Sequence, residues 1–273
     1  MLLLRGRRIV VPQPDRKLLW IVAVAIAAVA GAFALDPVPQ DPAYHAFADA
    51  RKMAGVANAW NVLTNLPFLA VGVWGFAVLR QIPDELRTHY IVLCAGVMLV
   101  AFGSAYYHLE PSTWTLVWDR LPMTVAFMAL FSAVIADRIS WLAGRGLLWP
   151  SVALGITSIA WWVHTEQAGA GDLRAYGVVQ FLPMMLIPMM LLLRQGQWLR
   201  APWLWAGLAA YLGAKLAEHF DSAIFTAVGG ASGHSLKHLL AALASAFVIR
   251  AFHAARRKEG TVRLFPAEKG DSP

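Results

Sequence analysis

The sequence has a single cysteine, Cys94, among 273 residues. One thiol excludes an internal disulfide framework and any cysteine-based zinc cluster, and its place inside an apolar run suits a small packed hydrophobe. Charge is scarce as well. Asp, Glu, Lys and Arg make up 14% of the chain, whereas an ordinary soluble domain carries about a quarter. Hydrophobic residues reach 59% and the mean hydropathy is +0.56. The charge balance is +7, but the basic residues lie between apolar runs and at the two ends. That is the distribution of the positive-inside rule and not of a nucleic-acid-binding face, so nucleic acid is not an expected partner. No internal repeat of fixed period is visible. These shortages leave one class, an all-α integral membrane protein.

What the chain has instead is apolar runs. A span needs about 20 mostly apolar residues, and eight stretches qualify: 18–35, 60–80, 89–109, 117–137, 147–164, 174–193, 203–220 and 232–252. Pro67, Pro122, Pro183 and Pro188 fall within them, which neighbouring helices can accommodate. Lys215, Glu218 and His219 interrupt the seventh run, and His234, Lys237 and His238 the eighth. Connections alternate in charge. Arg5, Arg7, Arg8, Arg16 and Lys17, then Arg80 and Arg87, Arg138 and Arg145, Arg194 and Arg200, and Arg250, Arg256, Arg257 and Lys258 mark one side. Asp36, Asp41, Asp49, Glu110, Glu166, Asp172 and Asp221 mark the other. The rule places both termini in the cytoplasm.

The expected organisation is a basic N-terminus (1–17), an additional N-terminal span (18–35), an extracytoplasmic loop (36–57), a seven-span bundle (58–253) and a cytoplasmic tail (254–273). Residues 18–35 also read as a signal sequence ending in Ala32-Phe33-Ala34. The long lead and long apolar run favour an uncleaved anchor. Short loops and Ala, Leu and Trp enrichment point to a bacterial inner membrane.

Polar residues gather at one edge. In "FGSAYYHLEPSTWTLVWDRLP" (102–122), Ser104 and His108 are four apart, on one face near the outward end of their helix, and Asp119 begins the returning helix at similar depth. In "GGASGHSLKHLLAAL", His234 and His238 repeat the spacing at the same edge. Two histidines one turn apart with a third from another helix form a His₃ set, leaving a fourth position for water as in catalytic zinc sites. Asp119 would then act as general base and acid, and Ser104 would hydrogen-bond the water or the developing oxyanion. Each residue alone has a plainer use: interfacial histidine, helix cap for Asp119, backbone bonding for Ser104. Their shared depth argues for function.

With these residues in place the sequence resembles the alkaline ceramidase family, part of a seven-span hydrolase superfamily that includes adiponectin-type receptors. The resemblance lies in S-A-Y-Y-H, D-R-L-P-M and H-S-L-K-H. It extends to "AWNVLTNLPFLAVGVWG" (59–75), where Trp60, Asn61, Thr64 and Asn65 match a W-N-x-x-[ST]-N signature, and covers about residues 40 to 253. It implies zinc on His108, His234 and His238, with Ser104 and Asp119 contacting the zinc water. The implied reaction is hydrolysis of the amide of a ceramide-like lipid to a fatty acid and a sphingoid-type base. Relatives carry an acid-rich calcium-binding segment before the W-N. Here "DPVPQDPAYHAFADARKMAGVAN" has Asn58 near the expected glutamate and Asp41 and Asp49 as candidate acids, few carboxylates for calcium's six to eight oxygens, so calcium is less expected than zinc. Tyr44, His45, Phe47, Asp49 and Arg51 form either a lid over the site or an ordinary polar loop. Asn61 and Asn65 are expected to tie helices together. Glu218, His219 and Asp221 either support the site or mark a span end, and His164 is expected to be interfacial. Alternatives are a hydrolase of another N-acyl lipid or an ester, or a non-catalytic receptor-like protein with structural zinc. A transporter fits less well, because the polar residues lie at one side and not the midplane. Oligomeric state is not legible.

Overall fold

The computed structural model describes residues 15–253, so the expected basic N-terminal residues up to 14 and the tail 254–273 lie outside the described residues. The architecture is an all-α membrane bundle. Its helices are α1 (Arg16–Ala34), α2 (Ala59–Leu63), α3 (Leu66–Ala77), α4 (Asp84–Leu109), α5 (Thr113–Arg138), α6 (Trp141–Gln167), α7 (Arg174–Leu193), α8 (Ala201–His219), α9 (Asp221–Val228) and α10 (Gly233–His253). Six of these, α1, α4, α5, α6, α7 and α10, are long and apolar enough to cross a membrane.

Two of the eight expected spans come out differently. The stretch 60–80 is not one helix: it breaks between α2 and α3 at Thr64 and Asn65, where the Thr64 hydroxyl donates to the Trp60 carbonyl at 2.7 Å and Pro67 supplies no N–H. The stretch 203–220 is continuous as α8, but Lys215, Glu218 and His219 fill its last turns and keep it outside the apolar set. Both pack into the same bundle nonetheless. Helix α3 lies against α4 and α10, and α8 runs along α10.

Local chemistry sets the ends. Pro83 precedes α4, and Asp84 and Glu85 occupy its first turn, where carboxylates complement the helix dipole. Ser112 and Thr115 form a reciprocal capping box at the start of α5. At the far end of α5, buried Asp137 and Arg138 pair at 2.8 Å. Asp137 Oδ1 accepts from the backbone of Gln197, Trp198 and Leu199, while Arg138 donates to the Arg194 and Leu199 carbonyls, fastening the α7–α8 connection.

Helix α1 is the outlier. Ile21 is its one buried residue; it docks on α7 and presents Trp20 and Ile26 outward, 66% and 65% exposed. Apolar side chains facing outward are the expected surface of a protein solvated by lipid. Cys94 is fully buried and packs towards Gly75 of α3.

Candidate metal centre

Helices α4 and α5 meet unusually closely at the level of Ser104 and Asp119. Pro122 cannot donate to the carbonyl of Trp118, four residues earlier on α5. The Gly103 backbone of α4 lies over that same carbonyl, so that a methyl group at Gly103 would collide with it. Adjacent residues on the two helices therefore face each other across a short gap. Gly233 plays a similar part at the start of α10, where an added methyl would strike the Ala217 carbonyl and the Asp221 backbone. This approach lets Asp221 Oδ1 accept from the His234 backbone N–H at 2.7 Å.

Three histidines converge there. His108, His234 and His238 are 1%, 5% and 3% exposed, and their candidate ligand nitrogens lie within 4.8 Å of one another. His108 Nε2 is 3.2 Å from His238 Nε2 and 3.3 Å from His234 Nε2. A neutral imidazole nitrogen carries at most one proton, so His108 cannot satisfy both neighbours by donating. A tetrahedral zinc with nitrogen ligands at about 2.0–2.1 Å has ligand–ligand edges of about 3.3 Å. The triad therefore fits a metal ion by spacing and by donor chemistry, and zinc is compatible with it.

Supporting contacts reach all three rings. Thr64 Oγ1 meets His238 Nδ1 at 2.9 Å, and the Phe47 ring lies 4.7 and 4.6 Å from the centroids of His108 and His234. Ser104 and Asp119, 2% and 7% exposed, line one cavity of about 230 Å³ together with His238, Lys237, Glu218 and Tyr44. Among the described residues the Asp119 carboxylate has no hydrogen-bond or ion-pair partner. Arg120, Lys215, Gln180, Tyr211 and Ser245 add polar groups to the cavity lining, and most of the remaining wall is apolar, passing Leu93, Val97, Met123, Phe127, Ile187 and Leu208.

The segment before α2 closes the other side of the triad. Asp41 caps a short 3₁₀ turn over Pro42–His45. His45 spans Tyr107 Oη at 2.9 Å and Thr113 Oγ1 at 3.2 Å, and burial lowers its pKa. Tyr44 donates to Glu218 at 3.1 Å, and burial pushes its phenol well up. Asp49, 2% exposed, is gripped by the Arg51 guanidinium at 2.7 and 2.6 Å, which holds its carboxyl below the usual range. Asp221 Oδ2 accepts from the Ala48 backbone at 3.0 Å.

The other residues singled out in the sequence have separate surroundings. Asn58 adopts a left-handed conformation (φ 47°) and donates to the His108 carbonyl at 2.9 Å. Asn61, fully buried, donates to the Asp49 carbonyl at 3.2 Å and accepts from Ser235 at 2.8 Å, joining α2 to α10. Asn65 instead turns back on its own chain, donating to the Asn61 carbonyl at 2.7 Å. Glu218 is bound by Lys215 and by Lys237, the latter at 2.8 Å. His219 is exposed and lies edge-on to Phe220 in an outer groove that Phe47 and His234 also line, and its ring is not among the three that converge. Residues that the sequence reading did not assign to the site are Thr64, Lys237, Tyr107 and Arg120. Lys237 Nζ is 3.2 Å from His234 Nε2, and its position inside H-S-L-K-H was the available signal.

A buried histidine triad able to hold a metal ion, one of whose rings lines a largely apolar cavity inside a bundle of long apolar helices, defines the class: a multi-pass membrane protein with a candidate metal site. The chain belongs to the ceramidase family, whose model (Ceramidase) matches residues 51–261. Membership makes it a hydrolase of amide bonds acting on a lipid at the membrane. The matched region begins after Tyr44, Phe47 and Asp49, so the covering segment largely precedes it. No curated protein matches the chain.

Proposed function

We propose that this protein is a zinc-dependent amidohydrolase that cleaves the N-acyl amide of a ceramide-like lipid, releasing a fatty acid and an amine base. The observation that carries the reading is a convergence of three histidine nitrogens within 4.8 Å, with His108 at tetrahedral-edge distance from the other two, beside a cavity lined by Ser104, Asp119 and a long apolar wall. His108, His234 and His238 would hold the metal. A bound zinc lowers the pKa of a coordinated water to about 7 and polarises a carbonyl. Asp119, free of other partners, accepts a proton from the attacking water and delivers it to the amine nitrogen as the C–N bond breaks. Ser104 donates to the oxyanion developing on the carbonyl, and one such donor is worth about 10²–10³ in rate. The acyl chain lies among the apolar side chains of α4, α5 and α7, away from water. Phe47 and Tyr44 shield the polar end, which keeps these hydrogen bonds strong.

The proposed orientation puts this end outside the cytoplasm. Arg138, Arg145, Arg194 and Arg200 cluster towards the opposite end of the bundle, which the positive-inside rule assigns to the cytoplasm. Purified protein incubated with N-acyl lipids, zinc-loaded and chelated, tests the reading by mass spectrometry of released fatty acid. Metal-dependent release is expected. Full activity after chelation, or a zinc-stabilised protein that turns over no lipid, would overturn it.

A further inference from the structure

One buried cation has no part in this scheme. Arg120 follows Asp119 on α5, is 7% exposed and lines the same cavity. No ion pair engages it among the described residues, and its Nη1 is buried without an acceptor. Three aromatic rings surround the guanidinium instead: Trp162 at 4.6 Å, Tyr176 at 4.9 Å and Tyr44 at 5.4 Å. Ring faces stabilise the charge but accept nothing in the guanidinium plane, so its N–H donors stay available. A buried guanidinium without a counter-ion is unfavourable, and bidentate carboxylate or phosphate is its best-matched partner.

Nearby carboxylates do not serve. Glu218 is held by Lys215 and Lys237. Asp119 is adjacent in sequence, yet no ion pair forms between the two. Around the cavity three cations, Arg120, Lys215 and Lys237, face two carboxylates, Asp119 and Glu218. This leaves an excess of positive charge before any metal is bound. The excess lies at the polar end, where the amine half of a substrate would sit once its acyl chain fills the apolar wall. A neutral hydroxylated head group would leave it unbalanced.

We propose that Arg120 recognises an anionic group, carboxylate or phosphate, on the amine half of the lipid, so that among ceramide-like N-acyl lipids the preferred substrate carries an anionic head group. This rests on the hydrolytic reading above. The test uses three lipids with one acyl chain: N-palmitoylethanolamine, N-palmitoylglycine and N-palmitoylethanolamine phosphate. Wild type, Arg120→Gln and Arg120→Lys are compared for kcat/KM, and each lipid's thermal stabilisation of Asp119→Asn and of Asp119→Asn/Arg120→Gln is measured in parallel. Wild type should favour the carboxylate or the phosphate lipid over the neutral one by at least about tenfold, since a site built for a polar group rejects analogues lacking it. The better of the two identifies the anion. Arg120→Gln should collapse that ratio, and Arg120→Lys should keep part of it. Zinc content checks that each variant is folded, and the Lys variant decides if the Gln variant loses metal. Turnover without head-group preference, or equal loss on all three lipids, overturns the inference and leaves the hydrolase reading standing. Arg120-dependent stabilisation by the anionic lipids with no turnover of any lipid keeps the anion site and sinks the hydrolase.

Discussion

Thr64 and His238 meet at 2.9 Å, hydroxyl oxygen to Nδ1, across the break between α2 and α3. The Thr64 hydroxyl spends its proton on the Trp60 carbonyl at 2.7 Å, so Nδ1–H must be the donor to Oγ1. That leaves the His238 Nε2 lone pair free to face the other two histidines. Partners of this kind typically change metal affinity by about 10–100-fold. Thr64→Val should weaken zinc by that factor in competition with a chromophoric chelator, while Thr64→Ser should bind nearly as wild type. Equal affinity for Thr64→Val would remove the orienting role.

Ligands and proton carrier should separate cleanly. Alanine at His108, His234 or His238 should each reduce bound zinc well below one equivalent by metal analysis. Asp119→Asn should retain zinc yet lose hydrolysis by about 10²–10⁴, the usual worth of a general acid–base. An Asp119→Asn variant with wild-type turnover would refute that assignment.

Gly103→Ala should act through geometry alone. Its methyl would strike the Trp118 carbonyl, forcing α4 from α5 and moving Ser104 relative to Asp119. Overpacking of this kind costs about 1–3 kcal/mol, to be read as a lower thermal midpoint in detergent. Turnover measured well below that midpoint should fall as well. Unchanged stability and turnover would show that the helices can part without consequence.

An acid-sensitive tie lies in the loop before α7. Arg174 grips Asp172 at 2.9 Å through Nε and Nη2, and its Nη1 donates to the Leu35 carbonyl at the end of α1. This holds the Asp172 carboxyl far below its ordinary value of 3.8. A depressed folded-state pKa means the contribution is full above the unfolded value and is lost as pH falls below about 4. Thermal midpoints measured from pH 7 down to 3 should drop more steeply for wild type than for Asp172→Asn. Parallel curves would exclude the tie.

Much of this site was legible in the chain because its signals are local. Ser104 and His108, and His234 and His238, are spaced to share a helix face whatever surrounds them, and apolar run length is set by bilayer thickness. Less local features were not. The stretch 60–80 is hydrophobic enough to look like one span, yet Thr64 and Asn65 interrupt it, and the interruption is what aims the Thr64 hydroxyl at His238. His219 sits one residue from Glu218, and helical rotation alone puts it outside.

By itself, the sequence determined the class, an all-α membrane protein, and the small set of polar residues available at one edge. Composition and periodicity act within each helix and need no knowledge of its neighbours. Only the tertiary structure decided that nitrogens from residues 130 positions apart come within 3.2 Å, that Phe47 packs on His108 and His234, and that Arg120 is enclosed by rings without a counter-ion among the described residues. Those outcomes depend on how closely α4, α5, α8 and α10 pack, and close packing sums many weak contacts from distant parts of the chain.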